Sequence, residues 1–189
     1  MHFEALRLFL SEGSIKEHER YLHELKLKYS VLAKSVPALS GLTLSEIWRR
    51  LPRSDAKSEA VALLSEITAH EIFFDSFSEK RVRSPKIRSE YGSEDAFLYE
   101  LFRLAKDTKS GFLYIYADGK IRCDVCHDGG FFFKGALPTL AVDLFEHTYF
   151  KDYSFDRKKY LSAALGCLDL SKINENSKKD CKMSENVLE

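Results

Sequence analysis

The stretch "PTLAVDLFEHTYF" constrains this chain more than any other. "PTLAVD" reads as an apolar strand that ends on Asp143. A carboxylate closing an apolar strand has left water behind, and it needs a hydrogen-bonding partner or a cation. His147 stands four residues further on, so a carboxylate and an imidazole leave the strand together.

Two more histidines fall on apolar faces. Ser14 and Glu17 spell an S-x-x-E capping box, which predicts a helix of about 22 residues ending before Pro37. Its apolar stripe runs Ile15, Leu22, Leu25, Tyr29 and Leu32, and His18 lies on that stripe. Thr43 and Glu46 form a second box ahead of the short helix "LSEIWRRL". A third helix is predicted over "AKSEAVALLSEITAHEIFFDSF", with Leu63, Glu66, His70 and Phe74 along one face. A single buried histidine is ordinarily a satisfied core residue. Three of them with a stranded carboxylate and no thiolate suit iron or manganese with one open position, and argue against structural zinc.

The remaining chain sorts by texture. "KRVRSPKIR" reads as a solvated connector around Pro85, and "SEDAFLYELFRLAKD" as a fourth, amphipathic helix. "GFLYIYADGKIRCDVC" predicts two strands joined at Asp118-Gly119, a dipeptide suited to a type I′ turn. "DRKKYLSAALGCL" predicts a closing helix. The expected architecture is α+β: an N-terminal helical hairpin domain over 1–80, then a mixed α/β domain over 89–170. The second contains a small three-stranded antiparallel sheet, read as a meander. The polar segment 171–189 is expected to be a disordered tail.

A competing metal motif lies in "CDVCH", where Cys123, Cys126 and His127 spell the C-x-x-C-H of haem attachment. Strand alternation sends the two cysteines to opposite faces, and no second pair stands at zinc spacing. The motif is read as half-buried strand. The opening "MHFEALRLFLSEGS" interleaves Glu4 and Arg7 with its apolar residues, unlike a signal layout, so a cytoplasmic address with free thiols is expected. Lys and Arg number 29 against 29 Asp and Glu, so no global charge points to nucleic acid or a membrane surface. No apolar run approaches the roughly 20 residues of a membrane helix.

Taken together these segments resemble the iron/manganese superoxide dismutases. "AVDLFEHTYFKDYSFDRKKYL" is similar to that family's D-x-W-E-H-x-Y-Y-x-D-Y-x-N-x-R-x-x-Y-[LV] segment. "LSEGSIKEHERYLHELKLKY" resembles its first helix, "EITAHEIFFDSF" its Q-x-W-N-H-x-F-Y-W segment, and "KSGFLYIYADGKI" its G-S-G-W-x-W-L strand and hairpin. The resemblance implies one iron or manganese ion per subunit, held by His18, His70, Asp143 and His147. It implies superoxide, or another small oxygen species, as substrate, and a homodimer. Glu146 matches a glutamate that reaches across the dimer to the partner's metal histidine. Arg157 matches an arginine near the channel mouth, where positive charge steers an anion.

The departures from the family pattern are concentrated around the site. The channel tyrosine falls at Lys26 and the glutamine that bonds it at Glu66, so an ion pair is expected in place of a neutral pair. A glutamate can only accept where the glutamine amide donates, which would raise the potential of the site. Glu66 is also a possible fifth ligand. A histidine–tyrosine contact between subunits falls at Leu22 and Phe150, and three tryptophans near the metal fall at Phe74, Phe112 and Phe145. Gly129, at a position where manganese-type members often carry a polar side chain, favours iron; a gap in that loop would put His127 there instead. A relative with altered redox chemistry, or a non-catalytic one, is the alternative reading.

Overall fold

A computed structural model of the chain describes residues 4–80, 83–127 and 137–174. The first long helix, α1 (Glu12–Ser35), starts one turn earlier than the Ser14–Glu17 box suggested. Ser11 is its cap, its hydroxyl accepting the Ser14 N–H at 3.2 Å. Ser14 is instead buried in the first turn, and Glu17 pairs with Lys151 at 2.9 Å. The helix buries Ile15, His18, Leu22, Leu25 and Tyr29, the stripe expected from the periodicity.

The Thr43 box forms as predicted at the start of α2 (Leu44–Arg50): Thr43 Oγ1 accepts from Glu46 N, and Glu46 Oε2 accepts from Thr43 N. The next helix, α3 (Asp55–Asp75), opens on Ser54 and is apolar around most of its circumference at its C-terminal end. There Ile67, His70, Phe73 and Phe74 are all buried, because the helix is covered by α1 on one side and by the sheet on the other.

The basic connector around Pro85 is a helix rather than a loop. In α4 (Pro85–Tyr91), proline occupies the first turn, where its missing N–H costs nothing, and Ser84 Oγ accepts from Ile87 N. Ile87 is fully buried, which the flanking charges conceal in the sequence. The amphipathic α5 (Glu94–Ala105) follows, capped by Ser93.

Three antiparallel strands then form: β1 (Phe112–Tyr116), β2 (Arg122–Cys126) and β3 (Leu140–Asp143). Their order is β2-β1-β3, so the expected meander is replaced by a sheet with the first strand central. The reason lies in composition: "FLYIY" has apolar or aromatic side chains on both faces, whereas "RCDVC" carries charges and stays at an edge. The turn also departs from expectation. The loop spans residues 117–121; Gly119 takes positive φ but Asp118 does not, so there is no type I′ turn. Asp118 instead pairs with Arg122 at 3.0 Å. Gly111 (φ +122°) is required where it stands, since a Cβ there would lie 1.9 Å from the Cys126 carbonyl oxygen.

Two helices complete the described chain, α6 (Glu146–Tyr153) and α7 (Arg157–Gly166), the latter capped by Asp156. Order continues past Ser171, where a tail was expected: Leu170–Ile173 is a 3-10 turn, Ile173 is fully buried, and Ser84 Oγ donates to Asn174 Oδ1 at 2.6 Å. The fold is α+β, with helices leading and a three-stranded antiparallel sheet behind them. No helix among the described residues is long and apolar enough to cross a membrane.

The junction between the two layers is locked at the end of α3. Ser76 Oγ donates to Ile72 O at 2.6 Å and accepts from Ala141 N at 2.8 Å, tying the helix carrying His70 to the strand ending in Asp143.

Candidate metal centre

Four elements deliver one side chain each to this junction: His18 from α1, His70 from α3, Asp143 from the end of β3 and His147 from the first turn of α6. A ligand atom from each lies within 4.8 Å of the others. The Nε2 atoms of His18, His147 and His70 stand 3.2, 3.4 and 3.6 Å from a single atom, Asp143 Oδ2.

These contacts are close, but they are not hydrogen bonds. Asp143 Oδ2 and the Nε2 atoms of His18 and His70 are buried without a hydrogen-bonding partner. Burying such atoms unpaired is costly, and a cation at their meeting point removes that cost. Three imidazole nitrogens and one carboxylate oxygen fit a divalent transition metal with a position left over. His18, His70 and Asp143 are sealed from solvent, while the His147 side chain is 36% exposed, so access is from the α6 side.

The surrounding chain holds the donors in place. His70 Nδ1 lies 2.8 Å from the Glu66 carbonyl, which can only accept, so Nδ1 carries the proton and Nε2 offers its lone pair. Burial pushes the His70 imidazole down to about 4, against a smaller opposing pull from Asp143. The ring is therefore neutral at neutral pH, as a ligand must be. Burial would raise the Asp143 carboxyl, but the imidazoles of His147 and His18 outweigh it and hold it well below its ordinary range. Burial disfavours a proton on His147, yet Asp143 and, more weakly, Glu66 raise its proton affinity overall. Asp143 Oδ1 accepts from Phe145 N at 2.8 Å, and the Tyr160 hydroxyl donates to the Asp143 carbonyl at 2.7 Å.

A phenylalanine packs against each imidazole. Phe145 stacks on His147 at 5.6 Å between centroids, Phe112 meets His70 edge-on at 5.2 Å, and Phe74 meets His18 edge-on at 5.1 Å. Phe73 also stacks on His18, at 4.9 Å. The positions read as replacing tryptophans thus form an apolar collar that fixes the rings without any N–H to satisfy.

Several expectations fail. Lys26 is not paired with Glu66; its Nζ lies 2.7 Å from Glu71 Oε1. Glu66 is outside the four-residue ligand group, and its Oε1 accepts instead from the Tyr21 hydroxyl at 2.6 Å. Tyr21 was missed by the sequence reading. Its ring lies 4.9 Å from that of His147 and 5.4 Å from that of His70. The available signal was its place three residues after His18, on the same face of the helix.

Of the other positions, Arg157 opens α7 and its Nη2 donates to the Ala105 carbonyl at 3.4 Å, tying it to the end of α5. Glu146 is exposed beside His147. Leu22 is buried within its own chain, while Phe150 is exposed and meets Phe155 edge-on at 5.3 Å. Cys123 and Cys126 sit on β2, opposite Ile115 and Phe112, and burial pushes the Cys123 thiol up to about 12. Neither cysteine nor His127 joins a metal-competent group among the described residues. Gly129 lies outside the described residues.

The comparisons with known proteins agree with this geometry. The family model described as "Iron/manganese superoxide dismutases, C-terminal domain" matches residues 79–176, just over half of the chain. A curated relative, "Superoxide dismutase [Fe]" of Cupriavidus metallidurans, is 25% identical over 116 residues. That match takes in 57% of this chain and 59% of the relative, so the chain spans less than two thirds of the relative's length. With the matched segment carrying Asp143 and His147, the chain belongs to the iron/manganese superoxide dismutase family.

Proposed function

We propose that the chain is a divergent superoxide dismutase. In this reading His18, His70, Asp143 and His147 hold one iron or manganese ion per subunit. The observation that carries it is the convergence of three imidazole nitrogens on one buried carboxylate oxygen that has no hydrogen-bonding partner. An iron or manganese ion held by these four residues would supply the one-electron redox chemistry that dismutation of superoxide requires.

The protein's own contribution is binding, shielding and access. Asp143 provides the negative charge that retains a cation, and the hydrogen bond from His70 Nδ1 to Glu66 fixes one ring. The phenylalanine collar keeps water from the sealed side and leaves the His147 side open to a small anion. Arg157, half-buried at the start of α7, supplies positive charge on the C-terminal part of the fold. A homodimer in which the exposed Glu146 reaches the partner's metal histidine would border that approach on the α6 face. Iron is the preferred metal, supported by the iron enzyme named in the relative.

The test is superoxide decay per bound metal atom, on protein loaded separately with iron and with manganese. Decay proportional to bound metal supports the reading. Metal bound without decay refutes dismutation and leaves a redox site of other purpose.

A further inference from the structure

The hydrogen bond between Tyr21 and Glu66 lies beside the cluster, and neither the ligand set nor the collar accounts for it. Tyr21 lies on α1 within one turn of His18, and Glu66 on α3 one turn before His70, so the bond bridges the two helices next to both ligands. The Tyr21 ring covers this flank of the site, packed against His70 and His147 together.

Glu66 is poised there in a particular way. Its Oε1 meets the hydroxyl of Tyr21, whose ring lies 5.4 Å from that of His70 and 4.9 Å from that of His147, so the carboxylate is held on the flank of the cluster. Yet it is absent from the group of four whose ligand atoms share one point. Oε1 is occupied by the tyrosine at 2.6 Å, the length of a strong charge-assisted bond. Oε2 accepts no hydrogen bond among the described residues. A glutamate has three rotatable side-chain torsions, and a carboxylate one helical turn from a ligand has the freedom to reach the same ion once nothing restrains it.

We propose that the Tyr21 hydroxyl is a latch that holds the Glu66 carboxylate beside the metal position rather than on it, making Tyr21 a positioning residue that sets the number of protein ligands. This deepens the reading of the four-residue cluster as a metal site and rests on it. The tyrosine works by competition: the hydroxyl and the cation are alternative partners for one carboxylate.

The experiment uses metal-free protein titrated with Co²⁺, following affinity and the visible ligand-field bands. Wild type is compared with Tyr21→Phe, which keeps the ring and removes only the hydroxyl, and with Tyr21→Phe/Glu66→Gln. The latch predicts that Tyr21→Phe binds Co²⁺ about tenfold more tightly, on the scale of single-group effects near metal ligands. Its visible bands should change in position and intensity, and both changes should be absent in the double variant and in Glu66→Gln alone. Identical affinity and spectra for wild type and Tyr21→Phe overturn the latch, as does a change that survives in the double variant. Failure of wild type to bind Co²⁺ overturns the metal-site reading itself, and the latch with it.

Discussion

Two groups of metal-competent side chains occur in this chain, and they behave in opposite ways. Cys123, Cys126 and His127 are neighbours in sequence and look like a site on paper. His18, His70, Asp143 and His147 are spread over some two thirds of the chain, and they bring four ligand atoms within 4.8 Å of one another. A strand takes the first group apart, because alternate side chains leave on opposite faces. The second is assembled by packing: α1 against α3, α3 against β3, and α6 back over α1. Proximity along the chain is a weak guide to a site; elements that must pack together are a strong one.

The comparison is broken most decisively at Asp143. Partners of metal ligands are worth ~10–100-fold in affinity, and a ligand carboxylate should exceed that. Asp143→Asn is therefore expected to lose its metal on dialysis, read as metal atoms per chain. Retention at the wild-type level would mean that the imidazoles alone hold it.

The next effect is on stability of the metal-free protein. His70 is held at about 4 against an ordinary value of 6.5. Its folded-state value is lowered, so between these limits the unfolded chain takes up a proton that the folded chain refuses. Stability therefore rises with pH through that window and is lost as pH falls, by ~3 kcal/mol as an upper scale. His147 is raised, so its contribution is fully present below its ordinary value and is lost only as pH rises above it. Asp143 is lowered, and its contribution disappears only in stronger acid. Thermal midpoints from pH 4 to 6.5 should climb, and His70→Gln should flatten the climb.

Smaller still is the Lys26–Glu71 pair, 27% and 18% exposed. Lys26→Ala should cost no more than about 1 kcal/mol, measured by denaturant unfolding, with metal content unchanged. The least effect is predicted for Cys123→Ala/Cys126→Ala. Metal per chain and the Co²⁺ spectrum should not move, since neither thiol takes part; a lost ion would reverse the comparison.

Much of the fold was legible because it depends on local signals. The Thr43 box, the apolar stripe around His18 and the strand ending at Asp143 are each set by a few adjacent residues. The four residues of the cluster were legible because polar groups on otherwise apolar faces demand a partner. What escaped depends on how one helix is turned against another. Moving from Glu66 to Glu71 rotates the position around α3 by well over a quarter turn, and only the α1–α3 packing decides which of them meets Lys26. The same packing brings Tyr21 to Glu66 across two helices. The strand order was missed for a related reason: a short hairpin is local, but the return of β3 to pair with β1 is not.

The most direct test of the central claim is anomalous diffraction at the manganese edge from crystals of the manganese-loaded protein. The account predicts one peak per chain, at bonding distance from Nε2 of His18, His70 and His147 and from an Asp143 carboxylate oxygen. A peak at Cys123 and Cys126, or none between the four residues, would contradict it.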